Sequence, residues 1–419
     1  MRRSKRNNHR YVFIDLFSGP GGLSLGFKSS GYFQPVLAIE TVGATCETYR
    51  RNFKVRVCQQ DVTRIDPMQL AGSARQQAFG RIDVVIGGPP CRAFTTANRG
   101  GTKWEQMKKK MLEEKNVAEH PDWFSFWKII QAIQPRIFLA ENVMGFRARG
   151  DVLQNFVERL ESSDYATGVC ELDAQYFGVP QRRRRIFVIG MRNFTGDKAT
   201  LLPRNPSRAA RSLITVEQAL SDLPELSNDL PGSTISKYKR GRPSAYEALL
   251  RRKDGVLNDH VIHLAHPVMA KRFQYIPQGY NLRKTWIEGR IPESVMRSEY
   301  LCGKSIKKFS EKTLENMHSN IYRRLEWKKV SCTITNVRKT VLIHPLQDRL
   351  LSVRETARLQ SFPDWFRFCG SLDQQYQQIA DAVPPLLAKA IAEHFAKLLS
   401  HEDDVPHVAM VAEDDCRAA

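Results

Sequence analysis

Cys91 stands in GGPPCRAFTT (87–96), directly after the apolar run IDVVIGG (82–88) and behind two prolines that fix the backbone. A cysteine so placed suits nucleophilic attack once local donors or positive charge favour its thiolate. A further apolar run, RIFLAENV (136–143), ends in Glu141-Asn142-Val143, which sets a carboxyl group beside that cysteine at the end of a neighbouring strand. Partial burial raises such a carboxyl's pKa, so that it delivers a proton at neutral pH. QRRRRIFVIG (181–190) then places four arginines before another run. In extended geometry Arg183 and Arg185 share one face and Arg182 and Arg184 the other, so one pair can enter a site while the second meets solvent or phosphate.

A second constellation reads as a binding site. FIDLFSGPGGLSLGF carries Gly19, Gly21, Gly22 and Gly26, which let the chain turn sharply off a strand and approach a ligand closely. Glu40 follows about 20 residues later, where an acid accepts both ribose hydroxyls, and Asp61 ends the next run, within reach of an adenine amino group. A ribose and an adenine without a clear phosphate cradle point to a nucleoside cofactor other than ATP or NAD, and S-adenosylmethionine fits. His260, His263 and His266 recur every third residue, which does not match the usual zinc sets, so no metal is expected. The seven other cysteines are widely spaced, with no CxxC pair, and read as buried thiols.

These residues need a scaffold that gathers strand ends. YVFIDLF (11–17), QPVLAIE (34–40), VRVCQQDV (55–62), IDVVIGG, RIFLAENV and RIFVIG (185–190) are nearly continuous in apolar residues, as strands buried on both faces of a parallel sheet are. The reading is a doubly wound, mostly parallel α/β sheet. DWFSFWKIIQAIQP (122–135) spaces Phe126, Ile129, Ile130 and Ile133 as a helix that covers this sheet, ended by Pro135. SVRETARLQ (352–360) and VPPLLAKAIAEHFAKLL (383–399) also have helical periodicity, the latter with prolines at its start.

The chain of 419 residues is 42% hydrophobic, enough for real cores, and carries a formal charge of +20. That excludes wholesale disorder and points to a polyanionic partner, nucleic acid before an acidic membrane surface. No window offers the roughly 18 apolar residues of a membrane span, and the basic start leads straight into a strand, so a soluble, intracellular protein is expected. Residues 231–340 hold 23 basic against 9 acidic residues and mark a separate basic unit. Binding through it should weaken steeply with salt.

Taken in order, DLFSGPGGLSLGF, PPC, ENV, the QxRxR segment (Gln181, Arg183, Arg185), YRRLEW with TIT (322–327, 334–336), HP with LSVRETARLQSFPDWF (344–366) and QIADAVPPLLAKAIA resemble the cytosine-5 DNA methyltransferases over nearly the whole chain. The resemblance implies a class I methyltransferase, Rossmann-like fold with a second, smaller target-recognition domain. A discontinuous catalytic unit would span 11–190 and 346–400, with its last helix packed back on the first segment. The recognition region would be 191–345, and the basic tail 1–10 and acidic tail 401–419 would be flexible. Catalytic roles are implied for Cys91, Glu141, Arg183 and Arg185. Arg185 would hold Glu141 and the cytosine, and Arg183 a phosphate or carbonyl. Cofactor contacts are implied for Phe17, Ser18, Gly19, Gly21, Gly22, Leu23, Glu40, Thr41, Asp61, Val62, Pro90, Asp381 and Ala382.

Two positions depart from the family pattern. Arg92 replaces the usual Gln after the nucleophile, and Ala380-Asp381 replaces Gly-Asn, where Asp still accepts a hydrogen bond. The implied reaction is addition of the Cys91 thiolate to cytosine C6 with acid assistance from Glu141, which makes C5 nucleophilic toward the methyl donor. C6 is unreachable inside the stack, so the base must leave the duplex, and the segment from Arg92 to Met111, with Lys103, Lys108, Lys109 and Lys110, would close over it. The expected protein is a monomeric, cytoplasmic, nucleoid-associated enzyme of a prokaryotic restriction-modification system, methylating double-stranded DNA beside a cognate restriction endonuclease. A transfer-RNA cytosine-5 methyltransferase and a catalytically inactive DNA-binding accessory protein are the alternatives.

Overall fold

The apolar runs become strands because an extended segment of Ile, Val, Leu and Phe satisfies its main chain only in a ladder, and buries both faces only between helices. In the computed structural model, which describes residues 10–78, 80–90, 121–148, 150–206, 213–227, 229, 231–298, 300–302, 305–307 and 321–404, seven strands form one sheet. They are β1 (Tyr11–Leu16), β2 (Phe33–Glu40), β3 (Arg56–Gln59), β4 (Val84–Gly87), β5 (Ile137–Val143), β6 (Tyr165–Asp173) and β7 (Arg184–Arg192), in the order β3-β2-β1-β4-β5-β7-β6. The strands from β3 to β5 are parallel, whereas β7 pairs antiparallel with both β5 and β6 at one end. The sheet is thus doubly wound and mostly parallel, with its switch point between β1 and β4.

The expected strand over 55–62 stops at Gln59. Asp61 instead accepts from the Thr63 N–H at 2.9 Å and caps a single 3-10 turn. The chain also contains β6, which its apolar content does not announce. It is an edge strand in which Thr167, Glu171 and Asp173 interrupt the hydrophobic residues, Thr167 and Asp173 at buried positions.

Helices cover both faces: α1 (Gly22–Ser29), α2 (Gly43–Phe53), α3 (Pro67–Gln77), α4 (Pro121–Ile133), α5 (Gly150–Glu161), α6 (Val353–Leu359), α7 (Leu372–Asp381) and α8 (Pro385–Asp404). Among the described residues no helix is long and apolar enough to cross a membrane. On one face Trp123, Phe126, Ile129, Ile130 and Ile133 of α4 pack on the sheet, and Trp123 stacks on Phe146 at 4.4 Å. α4 ends at Ile133, before Pro135, with Gln134 at φ 51°. On the other face α1 meets α8 through Phe27, Leu387, Ile391 and Phe395. Gly26 makes that crossing possible, since a methyl group there would lie 2.3 Å from the Ala388 Cβ and 2.5 Å from the Pro385 carbonyl. α8 runs on to Asp404, and its Asp403 carboxylate accepts from the Tyr11 hydroxyl at 2.7 Å and pairs with Arg136 at 2.8 Å.

A third cluster joins Leu25, Tyr49 and Phe53 to Val216, Leu250, Phe273, Leu325, Leu351 and Phe366, so the later segments pack onto the sheet unit through a continuous core. Buried ion pairs run through it. Arg358 bridges Asp222 and Asp364, and Arg349 grips Glu355 with bonds of 2.8 and 2.6 Å. Glu355 also closes a capping box with Ser352 at the start of α6.

Candidate active site

The sheet topology brings the candidate residues to one edge. At a switch point the crevice outside the strand carboxyl ends is open to a ligand. Phe17-Ser18-Gly19 leave β1 there, Glu40 ends β2, Gly88-Pro89-Pro90 follow β4, and Glu141 lies near the end of β5.

The first turn is held by main-chain bonds. Ser18 N–H donates to the Ile39 carbonyl at 3.0 Å, and Gly21 N–H to the Ser18 carbonyl at 3.0 Å. Phe17, Gly19 and Gly21 have φ of 55°, 53° and 95°, so even the non-glycine residue here is forced into the left-handed region. Glu40 is fixed by three N–H donors: Gly19 to Oε2 at 2.9 Å, and Thr41 and Val42 to Oε1 at 2.7 and 2.9 Å. Main-chain donors leave carboxylate lone pairs for further acceptance, which fits a ribose diol. Gln60 N–H bonds the Glu40 carbonyl at 3.0 Å, bringing Asp61 alongside. Hydrogen bonds from Thr63 hold the Asp61 carboxyl below its ordinary range, so it stays anionic.

The far wall comes from the chain between α7 and α8. A methyl group on Gly22 would lie 2.3 Å from the Val383 carbonyl and 3.1 Å from the Ala382 Cβ. The side chains of Leu23 and Val62 are buried in the clusters on opposite faces of the sheet. Pro90 is half-buried and Thr41 exposed. This set of donors, acceptors and close approaches suits S-adenosylmethionine.

Glu141 is 9% exposed, and Arg185 Nε lies 2.9 Å from its Oε1. Burial pushes the Glu141 pKa up, against the opposing pull of Arg185 and Arg183, and burial wins. A Cβ on Gly88 would lie 3.3 Å from Glu141 Oε2, so this glycine keeps the carboxyl's approach open. Asn142 Nδ2 donates to the Pro89 carbonyl at 3.2 Å, tying the ENV segment to the diproline that leads into residue 91. Cys91, Arg92 and the proposed closing segment with Lys103, Lys108, Lys109 and Lys110 lie outside the described residues.

The arginine run alternates as extended geometry demands. Arg182 and Arg184 are exposed, and Arg184 pairs with Glu171, while Arg183 and Arg185 turn inward. Arg183, 1% exposed, meets carbonyls and has no path to a phosphate: Nη1 donates to Ile334 at 3.2 Å and Nη2 to Ala380 at 2.7 Å. It therefore clamps the TIT segment and the end of α7 against β7.

Sequence reasoning named Gln181 without assigning it a role, and missed the part played by Asp15. Gln181 is fully buried, donates to Gln360 Oε1 at 2.9 Å and accepts from Ile334 N–H at 2.8 Å. Asp15, also fully buried, accepts from Ser24 at 2.6 Å, and Ser24 meets the Tyr49 hydroxyl at 2.6 Å. Burial pushes Asp15 up to about 8. Only the apolar company of Asp15 in YVFIDLF hinted at that burial. The three histidines have separate partners. His260 Nδ1 meets Ser352 Oγ at 2.9 Å, His263 Nδ1 meets the Leu264 carbonyl at 2.9 Å, and His266 caps the helix Pro267–Phe273. The expectation of buried thiols holds for Cys46 and Cys369, whereas Cys58, Cys170 and Cys332 are only half-buried.

The family model for C-5 cytosine-specific DNA methylases matches residues 11–397. The chain belongs to that family. It is a DNA (cytosine-5)-methyltransferase. The type II methyltransferase M.AgeI of Thalassovita gelatinovora is 30% identical, over 91% of this chain and 98% of its own length. M.XorII of Xanthomonas oryzae pv. oryzae is also 30% identical, over 95% of this chain and 87% of that one. Among solved structures, a putative prophage-encoded DNA modification methyltransferase of E. coli shares the fold with a TM-score of 0.67 and 23% identity, over 93% of this chain and 99% of that one. The family and these relatives support the DNA cytosine-5 methyltransferase reading over the two alternatives.

Proposed function

We propose that this methylase attacks cytosine C6 with Cys91 while Glu141 serves N3, and that it modifies a specific duplex sequence as the protective half of a restriction-modification pair. One observation carries the chemical part. A buried carboxyl, anchored by Arg185 and held proton-prone by its burial, lies on the strand next to the diproline that leads into Cys91.

Cytosine C5 is too weak a nucleophile until electrons are pushed into the ring. Addition of the Cys91 thiolate to C6 does this, and a proton or hydrogen bond from Glu141 to N3 stabilises the charge that develops. Arg185 keeps the Glu141 carboxyl in place and faces the same base. Loss of the C5 proton and expulsion of Cys91 restore the aromatic ring. S-adenosylmethionine, when bound, supplies an electrophilic methyl group on a cationic sulfur. Glu40 would hold its ribose and Asp61 its adenine, with the Phe17–Gly22 turn and the Asp381-Ala382 segment closing around it. Because C6 is shielded in stacked DNA, the cytosine must be flipped out. The type II relatives support the restriction-modification reading, and the basic residues 231–340 support duplex binding.

The test is incubation with labelled S-adenosylmethionine and unmethylated duplex DNA, followed by bisulfite sequencing to locate the target. Cys91→Ser should abolish label transfer while sequence-specific DNA binding survives. Full activity in that variant would refute the nucleophile assignment.

A further inference from the structure

We propose that Gln360 and Ser361 are positioning residues for the methyl-donor site: side by side after α6, they hold the two ends of the connection from α7 to α8 that walls the site opposite the first turn. This rests on the reading of Asp381-Ala382 as part of that wall.

The last carbonyls of a helix and the first N–H groups of the next have no partners within their own helices. At the α7–α8 connection, side chains from elsewhere meet them. Gln360 Nε2 donates to the Ile379 carbonyl at 2.8 Å and to the Ala382 carbonyl at 3.4 Å. Ser361 Oγ accepts from the Leu386 N–H at 3.1 Å, in the first turn of α8. Consecutive residues thus grip the connection on both sides. Between the two grips the main chain runs so close to the cofactor turn that a methyl group on Gly22 would lie 2.3 Å from the Val383 carbonyl.

Gln360 is itself fixed. The Ile379 and Ala382 carbonyls can only accept, so the amide nitrogen faces them and the amide oxygen is left for Gln181 Nε2, 2.9 Å away. Gln181 Oε1 accepts in turn from the Ile334 N–H, and both glutamines are fully buried. The wall is therefore tied to the lead-in of β7, where Arg183 also holds the Ala380 carbonyl.

Ser361 carries the clearest sign of a side chain retained for its contact. α6 ends in a Schellman motif, in which Phe362 N–H donates to the Ala357 carbonyl and Ser361 N–H to the Arg358 carbonyl, both at 2.9 Å. Ser361 takes φ 62°, in the left-handed region that this position requires and that glycine adopts most easily. A serine there bears backbone strain that glycine would avoid. Its buried hydroxyl supplies the acceptor for Leu386, which glycine could not.

Ser361→Gly suits the left-handed backbone and removes only the hydroxymethyl group, so the fold should survive. Gln360→Met keeps the length and removes both donors. Isothermal titration of the full-length protein with S-adenosylhomocysteine should show Kd raised about tenfold in each variant, as expected when supporting groups let a site shift. Methyl transfer should show a higher KM for S-adenosylmethionine with kcat at saturation near wild type. Tyr165→Phe removes the buried bond from the Tyr165 hydroxyl to the Pro135 carbonyl and controls for stability alone: urea unfolding should register the loss while Kd stays at the wild-type value. Wild-type Kd in both Ser361→Gly and Gln360→Met would overturn the proposal. The wall itself is tested in otherwise wild-type protein labelled with 15N-alanine, the Ala382 amide resonance being assigned by its loss in Ala382→Ser. That resonance should shift when S-adenosylhomocysteine is added. No shift would sink the reading of the wall and the proposal with it, whereas a shift alongside unchanged affinity in both variants would sink the positioning roles alone.

Discussion

Arg185 Nε lies 2.9 Å from Glu141 Oε1 across the antiparallel pairing of β5 and β7, with both side chains nearly withdrawn from water. The contact restrains the carboxyl without ensuring its ionisation. Burial raises the Glu141 pKa, and the two inward arginines oppose it without prevailing. The result is an acid whose position is set by a cation and whose proton is set by the low dielectric around it.

Because the raised pKa favours the protonated form, activity that depends on that proton declines as pH rises through the Glu141 value. Glu141→Gln should lower methyl transfer by roughly 10²–10⁴-fold and remove that alkaline decline. Single-turnover rates across pH check both effects, and a surviving alkaline limb would assign it to another group.

Arg183 offers a contrast, since its guanidinium is committed to the Ile334 and Ala380 carbonyls. Lysine cannot reproduce the fork, so Arg183→Lys should cost about 1–3 kcal/mol of stability in urea unfolding. The salt dependence of DNA binding should not change, because a residue 1% exposed contacts no phosphate. A shallower slope of log K against log salt would place Arg183 on the DNA.

Gly26 sits where α1 and α8 nearly touch. Gly26→Ala must push the helices apart, and thermal unfolding should report a loss of about 1–3 kcal/mol. Wild-type stability would mean that α8 adjusts without cost.

Acid should weaken the fold in two stages. Burial pushes His344 down to about 3, so the folded state resists its protonation while the unfolded chain accepts it near 6.5. Burial alone would raise Glu355, but its two bonds to Arg349 overcome this and hold it well below the usual carboxylate range. In both cases the unfolded chain binds more protons, so stability falls as pH falls, first through the histidine range and then through the glutamate range. His344→Gln should remove its own share of the first stage, up to about 1.4 kcal/mol per pH unit, while His260 and His394, also pushed down by burial, keep theirs. Urea unfolding at pH 5 and pH 7 tests this, and the same loss of stability between the two pH values in both proteins would exclude a contribution from His344.

Much of the catalytic unit is legible residue by residue. Continuous apolar runs announced β1, β2, β4, β5 and β7, and helical spacing announced α4, because burial of both sheet faces is written in local composition. The alternation of Arg182 to Arg185 predicted that one pair would turn inward and the other outward, since it needs only an extended backbone, and the resemblance chose Arg183 and Arg185. The edge strand β6 escaped notice because polar residues break its apolar run, among them the buried Asp173, whose partners Arg183 and Gln175 only the fold supplies.

Sequence by itself thus determined the family, the strand ends that carry chemistry and the residue types suited to it, all of which are properties of short segments. Tertiary structure decided what those groups touch. Arg183 meets a carbonyl 197 positions away, and Gln181 meets Gln360. Such contacts depend on how strands are ordered and helices docked, and pKa values follow from the burial and charges assembled there, which no local pattern encodes.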